Sequence, residues 1–125
     1  MNKYILSKKF LYELNKDIDF KKKDISSKIS IVMPSYNQAQ FIERSILSIL
    51  NQDYPNIELI IIDGGSIDGT IDIIKKYEKE ITLWISEKDQ GQSDALNKGF
   101  KYCTGEIYGW LNSDDIYLPD AFKNA

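Results

Sequence analysis

The 125-residue chain contains no histidine, a single cysteine (Cys103) and only three prolines. Without histidine there is no imidazole to ligate zinc or to serve as base in a Ser-His-Asp or Cys-His arrangement, so those chemistries are excluded within the chain. One thiol cannot close an internal disulfide, and Cys103, with no activating base in view, reads as a small core residue. Long apolar runs are also missing: the longest aliphatic stretch is Leu59 to Ile62, far short of the ~20 residues of a membrane-spanning helix. Near the N-terminus Lys8 and Lys9 interrupt the first apolar stretch, and no small-residue cleavage site follows, so no signal peptide is expected. The expectation is a cytoplasmic protein. Its chemistry must rest on carboxylates, hydroxyls, lysines, backbone groups or a hard cation.

The net charge of -3 conceals an asymmetry. Residues 1–28 carry eight lysines against four acids, whereas residues 29–125 carry eight basic and fifteen acidic side chains. A body with excess carboxylates does not suit nucleic acid, whose phosphates need a cationic face. It suits metal binding better. The basic start would tolerate an anionic membrane surface, so peripheral association at the inner face of the membrane is compatible with it; a solvated helix docked on the domain is the plainer reading.

Leu6, Phe10 and Leu14 recur at helical spacing and predict a short helix over residues 3–14, followed by a Lys-rich linker to residue 28. The main domain is expected over 29–125. There a strand, Ile29 to Met33, is expected to end at Pro34, which has no backbone donor. Helices are predicted near 39–50, 70–79 and 92–102, and strands over Ile57 to Ile62, Ile81 to Ser86 and Ile107 to Leu111, with a further helix opening at Pro119. The apolar, β-branched run Ile57 to Ile62 suggests burial on both faces. Strands alternating with helices through short connections predict an α/β fold, a parallel sheet flanked by helices. In such a sheet every strand-to-helix loop leaves at one edge, where ligands bind.

Four polar segments would meet at that edge: 34–37, 63–68, 87–90 and 112–115. The segment Asp63 to Thr70 reads either as a tight turn with Ser66 or Asp68 capping the next helix, or as a site where Asp63 accepts a hydrogen bond from a base or ribose. It is not an EF-hand, because the twelfth position is Ile74, and the chain holds neither a dinucleotide fingerprint nor a Walker loop. Asn112 to Asp115 is either an Asp-rich turn or a metal site. Adjacent carboxylates repel, and Mg²⁺ or Mn²⁺ relieves that repulsion with oxygen ligands alone. Successive residues of extended chain point oppositely, so Asp114 and Asp115 are not expected both to ligate directly, and Asp114 is taken as the candidate ligand. Tyr36 can stack on a base with Ser35 at the ribose, or simply be a surface aromatic. Asp89 to Asp94 would order near a diphosphate or sugar, or serve as a helix start. Trp84 and Trp110 read as packing residues.

Taken together, Met33-Pro34-Ser35-Tyr36-Asn37, Ile62-Asp63-Gly64-Gly65-Ser66-Ile67-Asp68-Gly69-Thr70, Gly91-Gln92-Ser93-Asp94-Ala95-Leu96-Asn97-Lys98-Gly99 and Trp110-Leu111-Asn112-Ser113-Asp114-Asp115 resemble family 2 glycosyltransferases of the Rossmann-like GT-A fold. The resemblance implies that Pro34, Ser35, Tyr36 and Asp63 hold a nucleotide, usually uridine, with Ser66 and Asp68 nearby. It implies that Asp114 holds Mn²⁺ or Mg²⁺ on the diphosphate, with Asp94, Asn112 and Ser113 near the diphosphate or donor sugar. The implied activity is sugar transfer from a UDP-sugar to a carbohydrate or lipid-linked acceptor hydroxyl, with inversion, in cell-surface polysaccharide biosynthesis. Two departures stand out: Asn112 occupies the first acidic position of the family's Asp-x-Asp motif, and Leu96 stands where the family often has Arg. The family's general base lies beyond the last motif, so the chain reads as the donor-binding half of a longer enzyme and no catalytic residue is assigned. A non-catalytic nucleotide-binding or regulatory module is the alternative. A phosphoacceptor receiver domain is a third, with Lys88 its only candidate lysine.

Overall fold

The computed structural model describes residues 4–6, 27–52 and 54–116. In chain order these form β1 (Tyr4–Leu6), β2 (Ile29–Ser35), α1 (Ile42–Leu50), β3 (Ile57–Asp63), α2 (Thr70–Lys76), β4 (Leu83–Ser86), α3 (Gln92–Phe100) and β5 (Ile107–Trp110). The strands make one five-stranded sheet, ordered β1-β5-β2-β3-β4, and every pairing is parallel.

The apolar run in β3 is buried on both faces, as its composition predicts. Ile29, Ile31, Met33, Leu59 and Ile61 join α1 and α2 residues Ile42, Ile46, Ile49 and Ile74 in one cluster. Val32, Ile60 and Ile62 turn the other way and pack with Ala95 of α3 and Cys103. Alternation along each strand thus feeds two cores. Trp84 packs at the margin of the first. On the second face α3 lies very close to the sheet: a Cβ on Gly99 would stand 2.3 Å from Val32 Cγ1 and 3.2 Å from Ile62 Cγ1.

Two expectations are corrected. Tyr4–Leu6 is not helical; it is a strand in register with Ile107–Gly109 of β5. Helical spacing of Leu6, Phe10 and Leu14 competes here with the open edge of β5, whose backbone N–H and C=O groups need partners, and the edge wins. Residues 7–14 lie outside the described residues, as does the helix expected from Pro119. Pro34, in turn, does not end β2, which continues to Ser35 opposite Asp63. Val32 O accepts from Leu111 N–H on one side and Ser35 O from Gly64 N–H on the other. Alternate residues of β2 therefore face opposite neighbours, and Pro34 faces the β5 side beyond the last pair there, Val32↔Trp110. Its missing N–H has no ladder partner to lose.

At the edge where β2 and β3 begin, the buried Glu58 carboxylate accepts from Ser30 Oγ (2.8 Å), Thr104 N–H (2.9 Å) and Thr104 Oγ1 (2.8 Å), with Lys28 Nζ at 3.5 Å. Burial alone would raise its pKa, but the Thr104 N–H, the two hydroxyls and Lys28 outweigh burial and hold it below the ordinary 4.5. A carboxyl with a depressed folded pKa contributes stability that is present above its unfolded pKa and lost as pH falls through the folded one. Unfolding free energy is therefore expected to decline as pH falls below about 4.5, and Glu58→Gln to flatten part of that decline. Urea unfolding across pH 3 to 7 checks this; an acid limb identical in both proteins would exclude Glu58 as a contributor.

Candidate functional site

The chain runs from β2 to β3 to β4 on one side, then crosses on the α3 face to β5 on the other side of β2. Strand order therefore reverses between β2 and β5, and beyond their carboxyl ends the structure opens a cavity of about 590 Å³. This is the crevice that parallel-sheet topology offers to a ligand. Its lining comes from three segments: Pro34, Ser35, Tyr36 and Gln38 after β2; Lys88, Asp89, Gly91, Gln92 and Ala95 around the start of α3; and Asn112, Ser113 and Asp114 after β5. Gly64 completes it.

Of the ten residues that the resemblance assigns, six stand on this lining: Pro34, Ser35, Tyr36, Asn112, Ser113 and Asp114. Tyr36 is 58% exposed, so its ring is available to stack. Ser35 is 95% buried by contrast, since only 5% of it is accessible, and its Oγ has no hydrogen-bond partner among the described residues. The oxygen is enclosed within the wall, an unmet donor and acceptor that a polar ligand reaches once the hydroxyl turns toward the cavity.

Asp63, Ser66 and Asp68 are placed differently. Asp63 is fully buried and absent from the lining. Its Oδ2 accepts from Gly65 N–H (3.0 Å), Ser66 N–H (2.7 Å) and Ser86 Oγ (2.8 Å), and its Oδ1 from Ser66 Oγ (2.5 Å). Ser66 Oγ in turn accepts from Asn37 N–H at 2.8 Å, while Asn37 Oδ1 accepts from Ile67 N–H at 3.0 Å. Asp68 accepts from the Thr70 hydroxyl and N–H through Oδ1 and from Ala39 N–H through Oδ2. These bonds, led by the Thr70 hydroxyl, hold the Asp68 pKa below the ordinary carboxylate value. The segment after β3 thus sutures itself to the Tyr36 loop, and Gly65 meets its φ of +87° without strain.

Asp94 also turns away from the cavity. Its Oδ2 accepts from Gln90 N–H at 3.0 Å and lies 3.6 Å from Lys98 Nζ. The Gln90 bond, with Lys98 behind it, lowers the Asp94 pKa. Asp89, by contrast, reaches the lining, and its carboxylate oxygens lie where a Gly64 Cβ would be only 3.0 Å away. Gln92, in the stretch read as a diphosphate or sugar neighbour or as a helix start, opens α3, and its Nε2 donates 2.6 Å to Asn112 Oδ1; no local pattern links residues 20 apart. Gln38 carries no sequence signal, and the close approach at Gly64 is that of the Asp89 carboxylate.

Asp114 is exposed on the lining and accepts no hydrogen bond from the described residues, while Asp115 lies off the lining with its N–H on Asn112 O. Ser45 of α1 bonds the carbonyls of Ser113 and Asp115, holding the turn that presents Asp114. Among the described residues no three His, Cys, Asp or Glu side chains gather into a metal cage. The oxygen set here, one or two carboxylates facing an open cavity, fits a hard divalent cation completed by ligand phosphates and water.

Sequence comparison decides the family. The model of Glycosyl transferase family 2 matches residues 30–125. The chain belongs to that family. A relative from Escherichia coli, the UDP-Glc:alpha-D-GlcNAc-diphosphoundecaprenol beta-1,3-glucosyltransferase WfgD, is 38% identical over 96 residues, covering 76% of this chain and 38% of that protein. Among solved structures, Staphylococcus aureus TarS 1–349 in complex with UDP-GlcNAc superposes with a TM-score of 0.68 at 28% identity, over 74% of this chain and 28% of TarS. The mannosyltransferase PcManGT of Pyrobaculum calidifontis, in complex with GDP-Man and Mn²⁺, gives a TM-score of 0.70 at 25% identity, over 94% of this chain and 38% of PcManGT. This family 2 chain therefore has the GT-A glycosyltransferase fold and spans well under half the length of these relatives.

Proposed function

We propose that residues 29–125 form the donor-binding part of a glycosyltransferase that moves a hexose from a UDP-sugar to an acceptor hydroxyl, with inversion, in cell-surface polysaccharide assembly. The observation that carries this is the cavity at the strand-order reversal, which Ser35, the exposed Tyr36 and the exposed Asp114 line together. The UDP-Glc of WfgD and the UDP-GlcNAc of TarS favour uridine, and the diphosphoundecaprenol of WfgD favours a lipid-linked acceptor.

In this reading Tyr36 stacks on the base beside Pro34, and Ser35 supplies the hydroxyl for the ribose. Asp63, Ser66 and Asp68 hold the Tyr36 loop in place. The Asn112 carboxamide and Ser113 lie along the diphosphate or donor sugar; with Asn112 Oδ1 engaged by Gln92, the Asn112 NH₂ has no acceptor among the described residues and can donate to the ligand. Asp114 would hold Mn²⁺ or Mg²⁺, which when bound offsets charge on the departing nucleoside diphosphate. The residue that takes the acceptor's proton is sought in the additional length of the relatives.

Calorimetric titration of the 125-residue chain with UDP, GDP and CDP in Mn²⁺ is expected to show binding that favours UDP, with little transfer of sugar to an acceptor. Absence of binding to any of the three would remove the donor-site reading. Robust transfer by this chain would place the proton acceptor within it.

A further inference from the structure

Three charged residues line the cavity: Lys88, Asp89 and Asp114. With Asp114 assigned to the divalent cation, the Asp89 carboxylate still repels an entering diphosphate, and a fixed cation counters that repulsion more effectively in a recess than in open water. Several other lysines are committed to acids: Lys98 to Glu87 at 3.3 Å and Asp94 at 3.6 Å, Lys76 to Glu43 at 2.6 Å, and Lys28 to Glu58 at 3.5 Å. The Lys88 ammonium makes no ion pair or hydrogen bond among the described residues.

Its backbone, however, is anchored. Glu87 N–H donates to Asp63 O at 3.0 Å and the Glu87 carboxylate pairs with Lys98. On the other side Asp89 Oδ1 accepts from Gly91 N–H at 2.9 Å, and the Asp89 carboxylate lies against Gly64. Across the gap, Lys88 N stands 3.5 Å from where a Cβ on Gly65 would be, so the loops after β3 and β4 touch at Lys88. Both chain neighbours are held, while the side chain itself is uncommitted at the cavity wall. Less of the backbone has to be ordered when a ligand arrives.

We propose that Lys88 is a diphosphate-binding residue, its ammonium contacting the pyrophosphate oxygens and offsetting the repulsion from Asp89. The proposal rests on the donor-site reading above. Because Lys88 is exposed, its replacement leaves the core intact, and binding can be compared directly.

The test is titration of the 125-residue chain and its Lys88→Ala, Lys88→Gln and Lys88→Arg variants with uridine and with UDP, in Mn²⁺, at low and high salt. Lys88→Ala and Lys88→Gln are expected to weaken UDP binding about tenfold or more, to leave uridine within about twofold, and to lessen the salt dependence of UDP binding. Lys88→Arg retains the charge and is expected to stay near the parent. Undiminished UDP affinity in Lys88→Ala, or an equal loss for uridine and UDP, would overturn the assignment. If the parent chain itself binds UDP no more tightly than uridine, the cavity is not a diphosphate site and the underlying reading fails with it.

Discussion

Asp114→Ala is expected to lower the affinity for UDP in Mn²⁺ by about a hundredfold, or about 2.7 kcal/mol, and to make the remaining binding indifferent to a chelator. The size follows from the donor set. Asn112 Oδ1 is engaged by Gln92 Nε2, and Asp89 Oδ1 by Gly91 N–H, so Asp114 is the lining carboxylate with both oxygens uncommitted among the described residues. Removing it leaves the cation little beyond the nucleotide's own phosphates. The fold is expected to tolerate the change within about 0.5 kcal/mol, as for other surface substitutions, because Asp114 is exposed. Calorimetric titrations with Mn²⁺ and with EDTA, beside urea unfolding of the same variant, separate the two effects. Full retention of metal-dependent binding would move the ligand role elsewhere.

Asp63→Ala produces the largest expected loss of stability. The carboxylate is fully buried and accepts four hydrogen bonds, two of them from the backbone N–H groups of Gly65 and Ser66. Hydroxyls of Ser66 and Ser86 can rotate to other partners, but the two amides cannot follow. At roughly 1–3 kcal/mol for each buried group left without a partner, the expected cost is about 3–5 kcal/mol, a large share of a typical domain's margin. Loss of Asp63 also frees Ser66 Oγ, which receives Asn37 N–H next to Tyr36, so the cavity wall loosens. Asp63→Asn retains one acceptor oxygen and is expected to lose less, leaving a folded protein in which nucleotide binding can be measured. Urea midpoints for the two variants provide the comparison. A loss below about 1 kcal/mol for alanine would mean that the loop does not depend on this carboxylate.

The role of Asp63 also shows what spacing could convey. A buried strand ending in Asp63-Gly64-Gly65-Ser66 left two readings open, a turn with its cap and a ligand contact. In the fold the carboxylate is enclosed by its own loop and Ser86, and the neighbouring Ser35 and Tyr36 line the cavity. Both readings involve the same residues, because a loop that presents a ligand contact must first satisfy its own backbone.

The amino-acid sequence by itself determined the α/β class, the order of strands and helices from Ile29 to Trp110, and the four polar segments at one edge. Local periodicity and β-branched runs are sufficient for that, since they record which faces each element must bury. The tertiary structure alone decided three further matters. It set Tyr4–Leu6 beside β5, because an open strand edge outweighs a three-residue helical pattern. It let β2 continue through Pro34, because β5 has already ended there. It also paired Gln92 with Asn112 and set Gln38 on the same cavity as Asp114. Those last contacts join residues distant in the chain, and their geometry follows from how strands pair and where a crossover lands, which no local spacing encodes.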